Sequence, residues 1–379
     1  MKVVHVVRQY TPSIGGMEEV VRNLALQQQA AGDCQPSVIT LDKVFRESHH
    51  RLLQTETIDR VPVHRLAFCG SERYPLCPQV LGTLGRADVV HVHGIDFFFD
   101  FLAWTQVIHR KRLIASTHGG FFHTEFASRL KKIYFRSVTR LSALSYRRII
   151  ATSENDGDMF HAVVNPERLR VIENGVDVEK FANTASKTLT PTLIYFGRWS
   201  VNKGILDVLD VFVDLCAQQP EVPWHLVIAG RAYDLNAEAI RIEADRRGIG
   251  EQRLQIIAGP SNDVLRQQIA RSSYFVCLSH HEGFGIAPIE GMSAGLIPVL
   301  STIAPFQRLV ANSGTGLLLD TATTREKAQQ IAQLHDGYVQ EPQKHSVDRA
   351  YVQTAAKAYS WKDVAARYTQ QYEHVLDSP

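Results

Sequence analysis

The chain has 379 residues, 45% of them apolar and 21% charged, with a formal net charge of +2. That length favours a pair of domains over one core, and so small a net charge leaves no dominant basic field for nucleic acid. Cys34, Cys69, Cys77, Cys216 and Cys277 are scattered without a CxxC pair, which argues against a disulfide framework or a zinc site and for a reducing compartment. The opening MKVVHVVRQYTP has only a short apolar run before Arg8, too short for a secretory signal. No uninterrupted apolar stretch approaches a membrane span, so a cytoplasmic protein is expected.

Short β-branched runs at 3–7, 37–41, 61–66, 88–92, 113–116, 148–152 and 170–172 alternate with helical patterns at 18–30 and 97–109. The theme repeats with runs at 192–196, 225–229, 254–258, 274–278, 297–300 and 317–319, and helical stretches at 205–218 and 237–247. Such alternation implies parallel sheets covered on both faces. Residues 173–191, with an Asn174-Gly175 turn and a polar run over 183–190, are the best linker candidate. The expected architecture is α/β: two Rossmann-like doubly wound domains, 1–178 and 190–358, facing across a cleft. From Tyr359 a tail follows in which Ser360 and Asp363 have cap spacing before a helical pattern. Ligands of such sheets bind beyond the carboxyl ends of the strands, which puts the expected site in that cleft.

The most informative stretch is HHEGFGIAPIEGMSAG, His280 to Gly295, directly after a buried-strand candidate. A helix is expected to open near Pro288, since proline fits the first helical turn. Gly283 and Gly285 keep the loop free of side chains, so its amides and the helix N-terminus suit a diphosphate. Glu282 and Glu290, the latter placed in the first helical turn, bracket this loop eight residues apart. Carboxylates beside phosphate make sense if they meet sugar hydroxyls. A strand–turn–helix crossover with a capping acid is the plainer alternative.

The first strand ends in Arg8 and leads through Gly15-Gly16 into a helix, either a second phosphate loop or an ordinary turn. The loop is not GxGxxG and no acid is positioned for a ribose, which disfavours a nicotinamide enzyme. Arg198, in Phe196-Gly197-Arg198-Trp199, and Lys203 supply two cations at a strand end, suited to a diphosphate or to a solvated loop. His91, His93, His118 and His123 gather near two strand ends, and His118, before Gly119-Gly120, is best placed to face the cleft. Asp156-Gly157-Asp158 has the Asp-x-Asp form of metal-dependent sugar transferases, but after Ser153 it reads better as a helix start. Arg129–Arg148 holds seven basic residues and no acid, with Leu130, Ile133, Tyr134, Val138, Leu141 and Leu144 at helical spacing. A helix lying on an anionic bilayer and a core-facing helix with a solvated basic face both fit that pattern.

Taken together these motifs resemble glycosyltransferase family 4, the retaining transferases of GT-B fold. The likeness runs through Gly15-Gly16, His118, Asn174-Gly175-Val176-Asp177, Phe196-Gly197-Arg198 with Lys203-Gly204, and the Glu-x7-Glu pair Glu282 and Glu290. The Ser360-Trp361 tail, 359–379, looks like the family's closing helix, which crosses back to the first domain. Within the family, the N-terminus and the HEGFGIAPIEG run are most similar to bacterial α-mannosyltransferases of xanthan- or acetan-type exopolysaccharide assembly. The resemblance implies GDP-mannose as donor and cellobiosyl-diphosphate-polyprenol as acceptor, at the cytoplasmic face of the inner membrane. Arg198 and Lys203 are then expected to neutralise the departing diphosphate, assisted by Gly15, Gly16 and the amides of Phe284 and Gly285. Glu282 and His118 are expected at the donor sugar and Glu290 at the ribose. Arg129, Lys131, Lys132 and Arg136 are expected at an anionic membrane surface, with no nucleic acid partner, no cofactor and no metal required. Retention leaves front-face attack and a carboxylate nucleophile both open. A UDP-sugar donor, another acceptor, a GT-B epimerase and a non-catalytic nucleotide-sugar-binding protein remain as alternatives.

Overall fold

The computed structural model describes residues 1–45, 51–72, 74–119 and 133–377. The chain divides into two compact units, one formed by Met1–Gly175 with Trp361–Pro379 and the other by Val176–Ser360.

In the first unit the strands are, in chain order, β1 (Lys2–Val7), β2 (Gln35–Leu41), β3 (Thr55–Ile58), β4 (Val61–Leu66), β5 (Cys69–Ser71), β6 (Tyr74–Leu76), β7 (Val89–His93), β8 (Arg112–Ser116), β9 (Tyr146–Ala151) and β10 (Leu169–Val171). Eight of them make one sheet in the order β10-β9-β8-β7-β1-β2-β4-β3, while β5 and β6 pair as a separate hairpin. Only β3 runs antiparallel in the large sheet. The central strands are buried along almost their whole length, as β1 (KVVHVV) and β7 (VVHVH) show. Such continuous burial is what helices on both faces of a parallel sheet produce. The expected helix over 97–109 is two short ones, Phe97–Trp104 and Gln106–His109. The Thr105 hydroxyl bonds back to the Phe101 carbonyl at the break, a local bond that competes with the helical ladder.

The second unit holds β11 (Thr192–Trp199), β12 (His225–Ala232), β13 (Leu254–Ala258), β14 (Tyr274–Cys277), β15 (Ile297–Ser301) and β16 (Leu317–Leu319). They form an all-parallel sheet in the order β13-β12-β11-β14-β15-β16. Counted within the unit, this is the 3-2-1-4-5-6 order of a Rossmann sheet, whose order reverses between β11 and β14.

The polar run 183–190 is not a free linker. The amides of Asn183 and Ala185 donate to the carbonyls of Ser293 and Ala294, and the Thr190 amide donates to the Ser273 hydroxyl. Ala185 is buried in the second core. Composition suggested a linker, but backbone pairing with a distant helix end satisfies these groups instead. The units part at Gly175 and again at Ser360. A Cβ on Gly175 would collide with the Trp361 ring, so only glycine lets the indole seat there. Helix Trp361–Asp377 buries Val364, Ala365, Tyr368, Tyr372 and Val375 in a cluster with Val3, Leu24, Val89 and Ile114.

Candidate active site

In the second unit the site is built where the sheet reverses. Near the end of strand β11 stands Arg198, whose guanidinium lies 4.5 Å from the centroid of the Tyr233 ring. The Tyr195 hydroxyl donates to the Arg198 carbonyl at 2.8 Å. A turn at Val201–Lys203 follows, and from it Lys203 Nζ reaches Glu282 Oε1 at 2.5 Å. The Ser279 hydroxyl donates to the same oxygen at 3.0 Å. Both charged side chains keep a share of their surface, 20% for Lys203 and 11% for Glu282. The turn is tied to the loop after β14 by backbone and side-chain bonds between Asn202 and both His280 and His281. Burial raises the Tyr195 hydroxyl pKa, with Glu282 adding to the rise and Arg198 opposing it, which brings both charges within electrostatic reach of one group.

The helix behind this loop runs Ile286–Ala294, with Gly285 as its cap at φ 95°. It opens two residues earlier than expected. Pro288 still sits in the first turn, where its missing N–H has no helical partner to lose. Glu290 consequently falls just past the first turn instead of within it. Its carboxylate takes Lys180 Nζ at 3.0 Å. Phe284 packs its ring edge-on to Tyr359, so that residue's side chain faces the core. Lys203 and Glu282, separated by 79 residues, are thus brought together. Lys180, Ser279, Tyr233 and Asn202 were missed, because single polar residues in loops carry no periodic signal.

In the first unit, Gly16 opens helix Gly16–Ala31 with Gly15 as its cap, and Glu18 and Glu19 lie in the first turn. The Glu18 carboxylate lies where a Cβ on Gly15 would stand. His118 follows β8 with φ 51°, and Gly119 with φ 67°. A non-glycine residue held left-handed at a strand end costs about 1 kcal/mol or more, strain that concentrates at functional sites. His118 Nε2 meets His93 Nδ1 at 2.9 Å, His93 Nε2 meets His5 Nδ1 at 3.0 Å, and His5 Nε2 meets Gln28 Oε1 at 2.9 Å. His91 bonds Tyr372 and Ser116, each at 2.8 Å. Burial lowers the pKa of His5 and of His118 to about 4, and of His91 and His93 well below the ordinary value. His5, His91 and His93 each offer a nitrogen within 4.8 Å of the others, but all six of their ring nitrogens already face hydrogen-bond partners, which suits a proton-sharing chain and not a cation.

Asp156 and Asp158 do not act together. Asp156 is buried and accepts the Thr117 hydroxyl at 2.6 Å, pinning the residue before His118, whereas Asp158 is exposed. Ser153 caps that helix through the Asp156 amide. His123 and the cations Arg129, Lys131 and Lys132 lie outside the described residues. Arg136 is exposed on a π-helical turn, Phe135–Thr139. From that turn to Ala143 the buried positions are Phe135, Thr139, Ser142 and Ala143. Ile133, Leu141 and Leu144 are each at least 60% exposed, so the apolar series does not simply face the core. Trp104, Val107 and Ile108 are exposed as well, on the segment that Ser142 and Ser145 tie to this helix through Asp100 and Ala103.

Residues 14–180 match the family described as Glycosyltransferase Family 4, and residues 177–352 that described as Glycosyl transferases group 1. The chain is 48% identical to the GDP-mannose:cellobiosyl-diphosphopolyprenol alpha-mannosyltransferase of Xanthomonas oryzae pv. oryzae, over 100% of this chain and 98% of that protein. It is 42% identical to the protein of the same name from Komagataeibacter xylinus, over 99% and 94%. Among solved structures, a glycosyltransferase from Rickettsia africae superposes with a TM-score of 0.72 at 14% identity, covering 100% of this chain and 99% of that one. Anabaena HepE in complex with UDP gives 0.70 at 18% identity, over 99% and 100%. These two establish the fold, GT-B.

Proposed function

The chain belongs to glycosyltransferase family 4, and from that premise we propose that it transfers an α-mannosyl residue from GDP-mannose to cellobiosyl-diphosphate-polyprenol. The observation that carries the reading is the end-to-end likeness, at 48% identity, to an enzyme named for that reaction. The site chemistry supports it. A departing diphosphate needs positive charge already in place, because preorganised charge in a partly dry site stabilises the transition state most. Lys203 and Arg198 stand at the switch point of the second sheet, where such ligands bind. Lys203 is held by Glu282, so cation and carboxylate are presented side by side, as a phosphate and its attached sugar require. Glu290, steadied by Lys180, takes the ribose. His118 meets the donor sugar. Arg and Lys take the charge-neutralising role of a divalent ion, so no metal is required.

A lipid-linked acceptor presents its sugar at a bilayer, and the first unit is the one suited to approach it. No helix among the described residues is long and apolar enough to cross a membrane. Residues 101–119 and 133–153 contain no acid. They expose Trp104, Val107, Ile108, Ile133, Leu141 and Leu144 among Arg110, Arg112, Arg136, Arg140 and Arg147. Apolar side chains rimmed by cations favour reversible docking on an anionic surface, here the cytoplasmic face of the inner membrane.

The test is transfer by the purified protein from labelled GDP-mannose to cellobiosyl-diphosphate-polyprenol in anionic vesicles, run against UDP-sugars and with EDTA. A mannosylated lipid, formed with GDP-mannose alone and undiminished by EDTA, is expected. Transfer only from a UDP-sugar, or donor turnover that ignores the lipid, would overturn the reaction. Loss of turnover in EDTA, restored by a divalent ion, would overturn the metal-free reading.

A further inference from the structure

The sheet of the first unit contains a continuous line of hydrogen bonds from the helix bearing Gln28 to the loop bearing His118. Its direction follows from which atoms can donate. Gln28 Nε2 donates to the Tyr372 hydroxyl at 3.2 Å, which turns Oε1 toward His5 Nε2 at 2.9 Å. An amide oxygen only accepts, so His5 carries its proton on Nε2. A neutral imidazole has one N–H. His5 Nδ1 therefore accepts from His93 Nε2, and His93 Nδ1 in turn accepts from His118 Nε2. Burial keeps all three rings neutral at ordinary pH. His118 is left with Nδ1 as an acceptor. On the other side of Gln28, the Tyr372 hydroxyl, having accepted from the amide, donates to His91 Nδ1, and His91 Nε2 donates to Ser116. Every bond in the line agrees with one orientation of a single amide. Reversing that amide would reverse every proton and leave His118 with an N–H at Nδ1.

We propose that Gln28, acting through His5 and His93, is a positioning residue that sets the tautomer of His118, so that His118 offers Nδ1 as an acceptor to a hydroxyl of the donor sugar. This rests on the reading that His118 meets that sugar. A hydroxyl that donates to His118 keeps its oxygen lone pairs for other partners, whereas the reversed tautomer would compete for them. The ring position is the same in both cases. Only the sense of the hydrogen bond differs.

The experiment uses selectively 15N-histidine-labelled full-length protein, with ring tautomers read by two-bond H–N correlation and resonances assigned by single substitutions. In the wild type His5, His93 and His118 should all be Nε2–H. In Gln28→Met, which preserves volume but removes the acceptor, a buried His5 N–H would be left unpaired, so the line should reverse. His118 should become Nδ1–H and transfer should fall about tenfold, the scale of one misdirected hydrogen bond. Gln28→Glu keeps an oxygen facing His5, so His118 should stay Nε2–H and transfer should exceed that of Gln28→Met. Packing alone predicts the opposite order, since a buried charge disturbs a core more than methionine does. Full activity and an unchanged His118 tautomer in Gln28→Met would overturn the proposal. So would Nδ1–H at any of the three histidines in the wild type, a result that holds even if no variant folds. Undiminished transfer by His118→Ala alongside the expected tautomers would remove His118 from the reaction, and with it the functional half of the inference, while the proton order stood.

Discussion

At the strand ends of the second unit the polar side chains are charged, partly exposed and paired across loops. In the first unit the corresponding polar groups are uncharged imidazoles set inside the sheet itself. Lys203 and Glu282 face each other at 2.5 Å with water still in reach, whereas His5, His91 and His93 have almost no exposed surface. Burial accounts for the difference. A cation at the rim keeps enough water to stay ionised. An imidazole in the core is forced neutral, and can then pass orientation along a line of hydrogen bonds without carrying charge. Two sheets of related topology thus hold different polar chemistry, ionised side chains at the rim of one and neutral imidazoles inside the other.

The largest expected effect that sharpens this contrast is on acid stability. Unfolded, these histidines protonate near pH 6.5, but folded His5 and His118 do so only at about 4. Between those values the unfolded chain binds more protons, so stability declines as pH falls from about 6.5 toward 4 and is insensitive to these groups above that window. His5 alone contributes a loss of about 3 kcal/mol. The second unit carries a smaller liability, at His225, His335 and His345, of which His345 alone is pushed down to about 4, so the first should melt at the higher pH. Urea midpoints followed by probes in each unit read this directly, and coincident midpoints across the window would contradict it.

Next in size is the charged pair. Lys203→Ala should lower transfer by about two orders of magnitude, the scale for one donor to a developing oxyanion, and Glu282→Gln should also reduce it sharply. Steady-state kinetics on proteins with unchanged circular dichroism would decide, and a Lys203→Ala enzyme turning over at the wild-type rate would remove the diphosphate role. Smaller still is Tyr372→Phe, which strands the Gln28 amide donor and the His91 acceptor in the core. A cost of about 1–3 kcal/mol is expected, visible in denaturant unfolding, and a neutral substitution would mean that the return helix is held by packing alone. Residue for residue, the smallest effect belongs to the surface of the first unit. Changing Arg136, Arg140 and Arg147 to Ser should weaken co-sedimentation with anionic vesicles by about 1 kcal/mol per cation. Donor hydrolysis should not change. Binding that ignores the triple substitution, salt and lipid charge would exclude this face.

Much of the second unit was legible because its strands are short, apolar and separated by glycine turns. The runs at 254–258 and 317–319 match β13 and β16 residue for residue, and the 205–218 helix likewise. Strand β3 and the β5–β6 hairpin were not foreseen: their residues are mostly exposed, so no buried face imposes a pattern. The Arg129–Arg148 pattern left its inner face open between core and bilayer, and the structure puts Phe135, Thr139, Ser142 and Ala143 in the core while Leu141 and Leu144 are exposed. Hydrophobic spacing records which faces are apolar, not which neighbour is present to cover them.

By itself, the sequence determined the strand–helix alternation, the family, and the loop chemistry around Arg198, Lys203, Glu282 and Glu290, because each is a local pattern in which neighbouring residues report on one another. Only the tertiary structure decided that Glu282 pairs with Lys203 and Glu290 with Lys180, or that Asp156 fastens Thr117. The same holds for the line from Gln28 through His5 and His93 to His118, with Tyr372 closing on it from 344 residues away. Those contacts depend on which strand ends the sheet order brings together, and hydrogen-bond direction depends on the partner at each end. Neither quantity is carried by any one stretch of chain.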